Sequence, residues 1–253
     1  MLGVLAFALV GCSTGESANP SRQLRAEVLE ELPHDPTAFT QGLELVGDTL
    51  YEGTGLKGQS AVRAVDPRTG AVRNRVDLPS SMFGEGITVV GSSIWQLTWQ
   101  DGVAIRRDRA TLAEREMVRY EGEGWGLCYR RSADRLVMSD GSDTLTFRDP
   151  RSFARTGELR VRAADGRVDQ LNELECAHGA VFANVWQSDQ VLRIDPDSGE
   201  VTASIDLSGL LDESERANAD VLNGIAAIEG TDQFLVTGKL WPKMFRVKFV
   251  ETG

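Results

Sequence analysis

Five short segments of this 253-residue chain repeat one pattern: a polar or aromatic residue, then Gly or Glu, then an aliphatic anchor. They are Gln41-Gly-Leu43, Glu85-Gly-Ile87, Trp125-Gly-Leu127, Asn172-Glu-Leu174 and Asn223-Gly-Ile225. Successive anchors lie 44, 40, 47 and 51 residues apart. Each is followed by a second strand-like run, over 49–51, 93–97, 135–138, 181–185 and 233–236. A third run follows, and twice it leads into Asp-Pro-x-x-Gly, at Asp66–Gly70 and Asp195–Gly199. Pro fixes φ and Gly accepts a positive φ, which suits a tight turn. Short strands recurring every 40–50 residues or so mark a propeller blade of about four strands. Only residues 207–216 hint at a helical turn or two,. The pattern predicts an all-β, five-bladed β-propeller over residues 25–253. A strand over 25–32 precedes the first anchor, and the last unit ends in a strand over 245–250. If the N-terminal strand joins the last blade, the ring closes and its edges are protected. A closed barrel or sandwich is the alternative.

Composition excludes several function classes. A net charge of -11 disfavours nucleic acid, which needs clustered Lys and Arg,. Three Cys and two His are too few for a disulfide framework or a usual structural zinc site,. Catalysis must therefore use carboxylates, amides, Lys or aromatic rings. Residues 2–10 form an apolar run too short to span a bilayer and suited to a signal peptide,. The run ends at Leu9-Val-Gly-Cys12, similar to a bacterial lipobox, although no basic residue precedes it. The expectation is a leader over 1–11, lipid on Cys12, a polar tether over 12–24, and export to the periplasm of a bacterium. The lipid would hold the protein at the membrane without spanning it.

In a propeller the innermost strands surround a central channel. The residues two places before the anchors, Gln41, Glu85, Trp125, Asn172 and Asn223, are expected at its mouth. The glycines that follow them relieve crowding near the axis. The polar side chains need partners or a function if buried.

These segments, with their surroundings, carry a resemblance. Pro33–Leu43, Met82–Gly86, Leu97–Gln100, Glu123–Gly126, Leu171–Glu175, Val185–Gln187 and Thr237–Pro242 stand in order along the chain. Together they resemble the plant and bacterial type of glutaminyl-peptide cyclotransferase, over about residues 25–249. The resemblance implies a five-bladed propeller that turns the N-terminal glutamine of peptides or proteins into pyroglutamate with loss of ammonia. It implies no cofactor and no metal, unlike the zinc-dependent animal enzymes of the same activity, and the protein is expected to be monomeric.

That reaction needs a neutral amine, a donor for an oxyanion, and an acid for departing ammonia. One carboxyl can serve the first and last needs in turn, and Glu85 is the candidate. Lys239 and Asn172 are candidates for the oxyanion, and Lys243 is a competitor for the role of Lys239. The resemblance places Gln41 at the substrate amine or backbone. It makes Trp99, Trp125 and Trp186 cavity walls, with Phe39, Met82 and Phe83 as companions. Trp95 and Trp241 are expected to be structural, His34 to organise the closing turn, and Asp212–Glu215 to be a solvated loop. His178 has no triad partners. Cys128 and Cys176 could form a disulfide in an oxidising compartment, but they sit one residue out of phase relative to their anchors and so tend to opposite strand faces, which argues against a bridge. Two other functions compete: a calcium-dependent lactonase-like propeller, with Gln41, Glu85, Asn172 and Asn223 as oxygen ligands, and a non-catalytic propeller that binds partners on its rim.

Overall fold

The computed structural model describes residues 21–164 and 166–252. The expected leader, the lipidation at Cys12 and the tether up to residue 20 lie outside the described residues. Within them the chain is all-β apart from a helical turn at Glu213–Arg216 and a 3-10 turn at Arg131–Ala133. The helical turn falls inside the segment where one was expected. Its Asp212 and Glu215 form a reciprocal capping box, so this acidic stretch is an ordered helix start rather than a plain loop,.

Strand β1 (Arg22–Pro33) opens the chain. Four-stranded antiparallel units follow. The first holds β2 (Thr40–Val46), β3 (Thr49–Thr54), β4 (Ala61–Val65) and β5 (Val72–Asp77). The second holds β6 (Gly84–Val90), β7 (Ser93–Thr98), β8 (Val103–Asp108) and β9 (Glu114–Arg119). The third holds β10 (Leu127–Arg130), β11 (Arg135–Met138), β12 (Thr144–Arg148) and β13 (Arg155–Arg160). A two-stranded ladder, β14 (Arg162–Ala163) with β15 (Gly166–Arg167), leads to the fourth unit. That unit holds β16 (Leu171–Ala177), β17 (Ala180–Val185), β18 (Gln190–Ile194) and β19 (Val201–Asp206). The last three strands, β20 (Leu222–Ala227), β21 (Gln233–Gly238) and β22 (Lys243–Glu251), take β1 as their fourth.

β1 runs antiparallel to β22 from Leu24 to Pro33, and it lies parallel to β19 over Arg22–Arg25. The second pairing merges the fourth and fifth units into one eight-stranded sheet. It also explains why the strand begins at Arg22, before the expected residue 25: those residues find hydrogen-bond partners in Ala203–Asp206. The first strands of the units pack in a ring, β2 on β6, β6 on β10, β10 on β16, β16 on β20, and β20 on β2.

The core is a set of seams between consecutive units. Each anchor points back to the preceding unit: Ile87 packs with Tyr51 and Val62, Leu127 with Trp95 and Leu97, and Leu43 with Ala226 and Leu235. Burying each such side chain stabilises the fold by about 1.5–3 kcal/mol relative to leaving it exposed. The residue after an anchor points forward to the next unit. This alternation corrects the expectation for the cysteines. Cys128 follows its anchor and faces forward, while Cys176 shares the phase of Leu174 and faces back, so both enter the same seam. They form a disulfide with a Cα–Cα distance of 5.4 Å. Opposite strand faces are the ones that meet between neighbouring units.

The turn seen twice in sequence occurs four times in structure, joining the third and fourth strands of the first four units. Asp66, Asp108, Asp149 and Asp195 each accept backbone N–H groups two and three residues on. Each turn ends on a positive φ, at Gly70 (70°), Leu112 (62°), Phe153 (62°) and Gly199 (77°). Leu112 and Phe153 hid the repeat, because they fill the glycine position with buried side chains.

His34 ties the closing strand down. Its Nδ1 lies 2.7 Å from the Trp241 carbonyl and its Nε2 3.1 Å from Glu52 Oε1. Trp95 and Trp241 are fully buried, and their indoles donate to the carbonyls of Pro150 and Asp220.

Candidate active site

The first strands carry an irregularity at the position the repeat marks. The ladders shift register between Thr40 and Gly42, Gly84 and Ile87, Leu171 and Leu174, and Leu222 and Ile225. The residues left out of the pairing are Gln41, Glu85-Gly86, Asn172-Glu173 and Asn223-Gly224. A bulge re-aims a side chain out of the regular alternation. In the third unit Trp125 and Gly126 hold the matching place just before β10, bonded to Ser139 through Trp125 N–H and Gly126 C=O. Local strand geometry thus gathers these side chains at one end of the ring.

Glycine makes the close approach possible. A Cβ on Gly86 would lie 2.6 Å from the Trp125 oxygen, and one on Gly126 would lie 2.0 Å from the Asn172 oxygen. Glu173 stands where the other units have Gly, and its carboxyl reaches across the ring. Leu43 N–H donates to Oε1 at 3.3 Å and Ile225 N–H to Oε2 at 2.8 Å. Burial pushes the Glu173 carboxyl up to about 8.

Above these bulges lies a cavity of 590 Å³. Phe39, Gln41, Phe83, Glu85, Trp99, Trp125, Asn172, Trp186 and Lys239, all expected from sequence, line it. Met82 does not; it packs against Leu78, Val103 and Ile105 below the wall. Lys243 is a surface residue paired with Glu31 and Glu215, which leaves Lys239 as the cavity cation. Asn223 is fully buried beneath the floor.

The walls are interlocked rings. Phe83 meets Phe39 edge-on at 6.1 Å and Trp99 at 5.6 Å, and Trp125 meets Trp186 at 5.6 Å. The cavity-wall indoles of Trp99 and Trp125 both donate to one carboxylate oxygen, Glu123 Oε2, at 2.8 Å and 3.0 Å. Glu123, Gln187, Asp220 and Val221 were missed as site residues. Glu123 did stand in the quoted Glu123–Gly126 motif, two residues before Trp125, and that spacing was a usable signal. Asp220 and Val221 precede the last repeat with no pattern of their own.

Glu85 is 5% exposed, and one of its oxygens accepts from Gln41 Nε2 at 2.9 Å. Burial raises its carboxyl well above the ordinary range; Lys239 opposes the rise and Glu123 adds to it. Lys239 is equally buried, with its ammonium 4.9 Å from the Phe39 ring centroid. Burial lowers its pKa, against the pull of Glu85 and Asp220. A sharp turn aims it: Leu240 has φ 60°, and its N–H donates to Ala38 at 2.7 Å,. Asn172 Oδ1 is buried and has no partner among the described residues. A polar atom left so is normally satisfied by something bound.

An all-β scaffold thus presents an aromatic-walled pocket with a buried carboxyl of raised proton affinity, amides and a buried ammonium, the equipment of acyl transfer from a small amide,. A family model described as glutamine cyclotransferase matches residues 3–249. The chain is 42% identical over 250 residues to the glutaminyl-peptide cyclotransferase of Arabidopsis thaliana, covering 96% of this chain and 77% of that protein. It also matches the crystal structure of Myxococcus xanthus glutaminyl cyclase with a TM-score of 0.83 and 36% identity, over 92% of this chain and all of that one. The chain belongs to the glutamine cyclotransferase family.

Proposed function

We propose that this protein cyclises N-terminal glutaminyl residues of peptides to pyroglutamate, releasing ammonia, with Glu85 as the proton shuttle. The observation that carries the shuttle is a buried carboxyl with raised proton affinity facing an aromatic cavity beside Lys239. The substrate's α-amine attacks its own side-chain amide carbon, and the carbonyl electrons move onto oxygen. Glu85 takes the proton the amine loses as the new C–N bond forms. The carbonyl then re-forms, the old C–N bond breaks, and Glu85 returns that proton to the departing nitrogen, which leaves as ammonia. The carboxylate is regenerated, so no proton is gained or lost overall. Lys239 and the Asn172 amide supply donors for the oxyanion. The rings of Phe39, Phe83, Trp99, Trp125 and Trp186 shape the pocket to a small side chain and keep water from the reacting carbon.

The same reading makes the five units blades of a five-bladed propeller, supported by the ring of first-strand contacts. It makes the chain an exported lipoprotein anchored through Cys12, supported by a disulfide suited to an oxidising compartment,. Mass spectrometry of the mature N-terminus tests the anchor: an acylated Cys12 is expected, and an intact leader contradicts it. For the activity, the purified protein is incubated with Gln-initiated dipeptides and ammonia is measured with and without a chelator. Chelator-insensitive release is expected. Release abolished by the chelator would favour the calcium-dependent alternative, and no release from any dipeptide would overturn the reading.

A further inference from the structure

Glu85 is reached from below through two amides, and elementary chemistry fixes the direction of donation along them. Asn223 on β20 is fully buried. Its side-chain nitrogen lies 3.0 Å from the Thr40 carbonyl oxygen and 3.1 Å from Gln41 Oε1. A main-chain carbonyl can only accept, so the Asn223 atom that faces it is the nitrogen. The second N–H of that nitrogen points at Gln41, which answers with its oxygen. Gln41 is thereby left with its own nitrogen toward Glu85, 2.9 Å from Oε1. Amide orientations that are elsewhere a choice between two flips are here anchored on the backbone. The anchor is local to the site, because Thr40 and Gln41 belong to the bulge of β2 and Asn223 to the bulge of β20.

We propose that Asn223 is a positioning residue for the reaction: by donating to Gln41 Oε1 it holds the Gln41 N–H toward Glu85 and stabilises the ionised carboxylate that accepts the substrate's proton. The proposal rests on Glu85 being the shuttle. A hydrogen bond to the charged form favours that form. The other groups that act on this carboxyl are the Lys239 ammonium, which favours ionisation, and the Glu123 carboxylate held by the Trp99 and Trp125 indoles, which disfavours it. Tyr120 shares its field but keeps its proton, because burial raises the phenol and its hydroxyl donates to the Thr98 carbonyl. Gln41 is therefore more than a wall of the pocket. Its oxygen accepts from Asn223 and one N–H is committed to Glu85.

The test is the pH dependence of kcat/KM for a Gln-initiated dipeptide in wild type, Asn223→Leu, Gln41→Met and the double variant, none of which adds a charge. Each single variant is expected to move the acid limb to higher pH, by about half a unit to one unit. The double variant should match Gln41→Met, because Asn223 acts only through Gln41. A purely structural role for Asn223 would lower the melting temperature and leave the limb in place. If Asn223→Leu does not fold, the near-isosteric Asn223→Asp takes its place: it loses the N–H that holds Gln41 and is expected to move the limb to higher pH, and an unmoved limb overturns the proposal. Failure of the underlying reading is separate: wild type itself would then release no ammonia. An active wild type with an unmoved limb in the folded variants, or shifts that add in full in the double variant, overturns the proposal.

Discussion

Glu85 shows how a single residue acquires its chemistry from placement. An exposed glutamate is ionised at neutral pH and is a weak proton donor. Burial in the cavity floor raises its proton affinity, Glu123 raises it further, and Lys239 restrains the rise. Activity that needs the ionised carboxylate should therefore fall as pH drops through a limb above the ordinary carboxyl range. Lys239→Met removes the restraining charge, so the limb should move to still higher pH. The same change removes a proposed oxyanion donor, with an expected loss of about 10²–10³ in kcat. A pH–rate series on wild type and Lys239→Met checks both effects. An unchanged limb would mean that the ammonium does not act on Glu85.

The strand bulge is the element that turns a repeat into a site. Regular pairing would leave Gln41, Glu85, Asn172 and Asn223 each on the face of the anchor two residues on, in the seams, whereas the bulges re-aim them toward one end of the ring. Their tight stacking needs residues without a side chain next in line. Gly126→Ala would push a Cβ to 2.0 Å from the Asn172 oxygen, with backbone on the other side and no flexible chain to give way. Its expected cost is about 3 kcal/mol or more, above the usual overpacking penalty. Chemical denaturation measures that cost, and kcat should fall with it because Asn172 shifts. Much of this element was legible in the sequence. The anchors Leu43 to Ile225 and the preceding polar residues gave the spacing of the site, and the glycines gave its crowding. The bulge itself was not legible, because a one-residue register shift leaves no trace in residue type. The disulfide was hidden for a related reason. Phase along a strand was readable at Cys128 and Cys176, but which faces meet depends on how units pack. Met82 was misplaced by the same kind of gap: its motif neighbours Phe83 and Glu85 line the cavity, while its own side chain turns into the Leu78 seam.

At the scale of the whole molecule, buried carboxyls of opposite character lie between the units. Glu52 is locked to Arg63, His34 and Thr40, and these partners hold its pKa down at about 2 despite burial. Its stabilising contribution is present above its unfolded pKa and is lost as pH falls toward about 2,. Glu173 behaves oppositely. Burial raises it to about 8, so its contribution is whole below its unfolded pKa and is lost as pH rises through that value,. Glu44, raised to about 7 by burial in the seam against Thr88 and Val89, acts in the same direction. The melting temperature should therefore peak near about pH 5 and decline on both sides. Removing the Glu173 carboxyl as Glu173→Gln should flatten the alkaline side, and calorimetry across the range checks this.

In the proposed reaction one carboxyl of this cavity, Glu85, carries the proton through cyclisation. The direct test quantifies ammonia and pyroglutamyl product together from a Gln-initiated dipeptide, for wild type and for the near-isosteric Glu85→Gln. Equal amounts of the two products are expected from wild type, and a rate lower by about 10²–10⁴ in Glu85→Gln with the fold retained. A folded Glu85→Gln that turns over at the wild-type rate would contradict it.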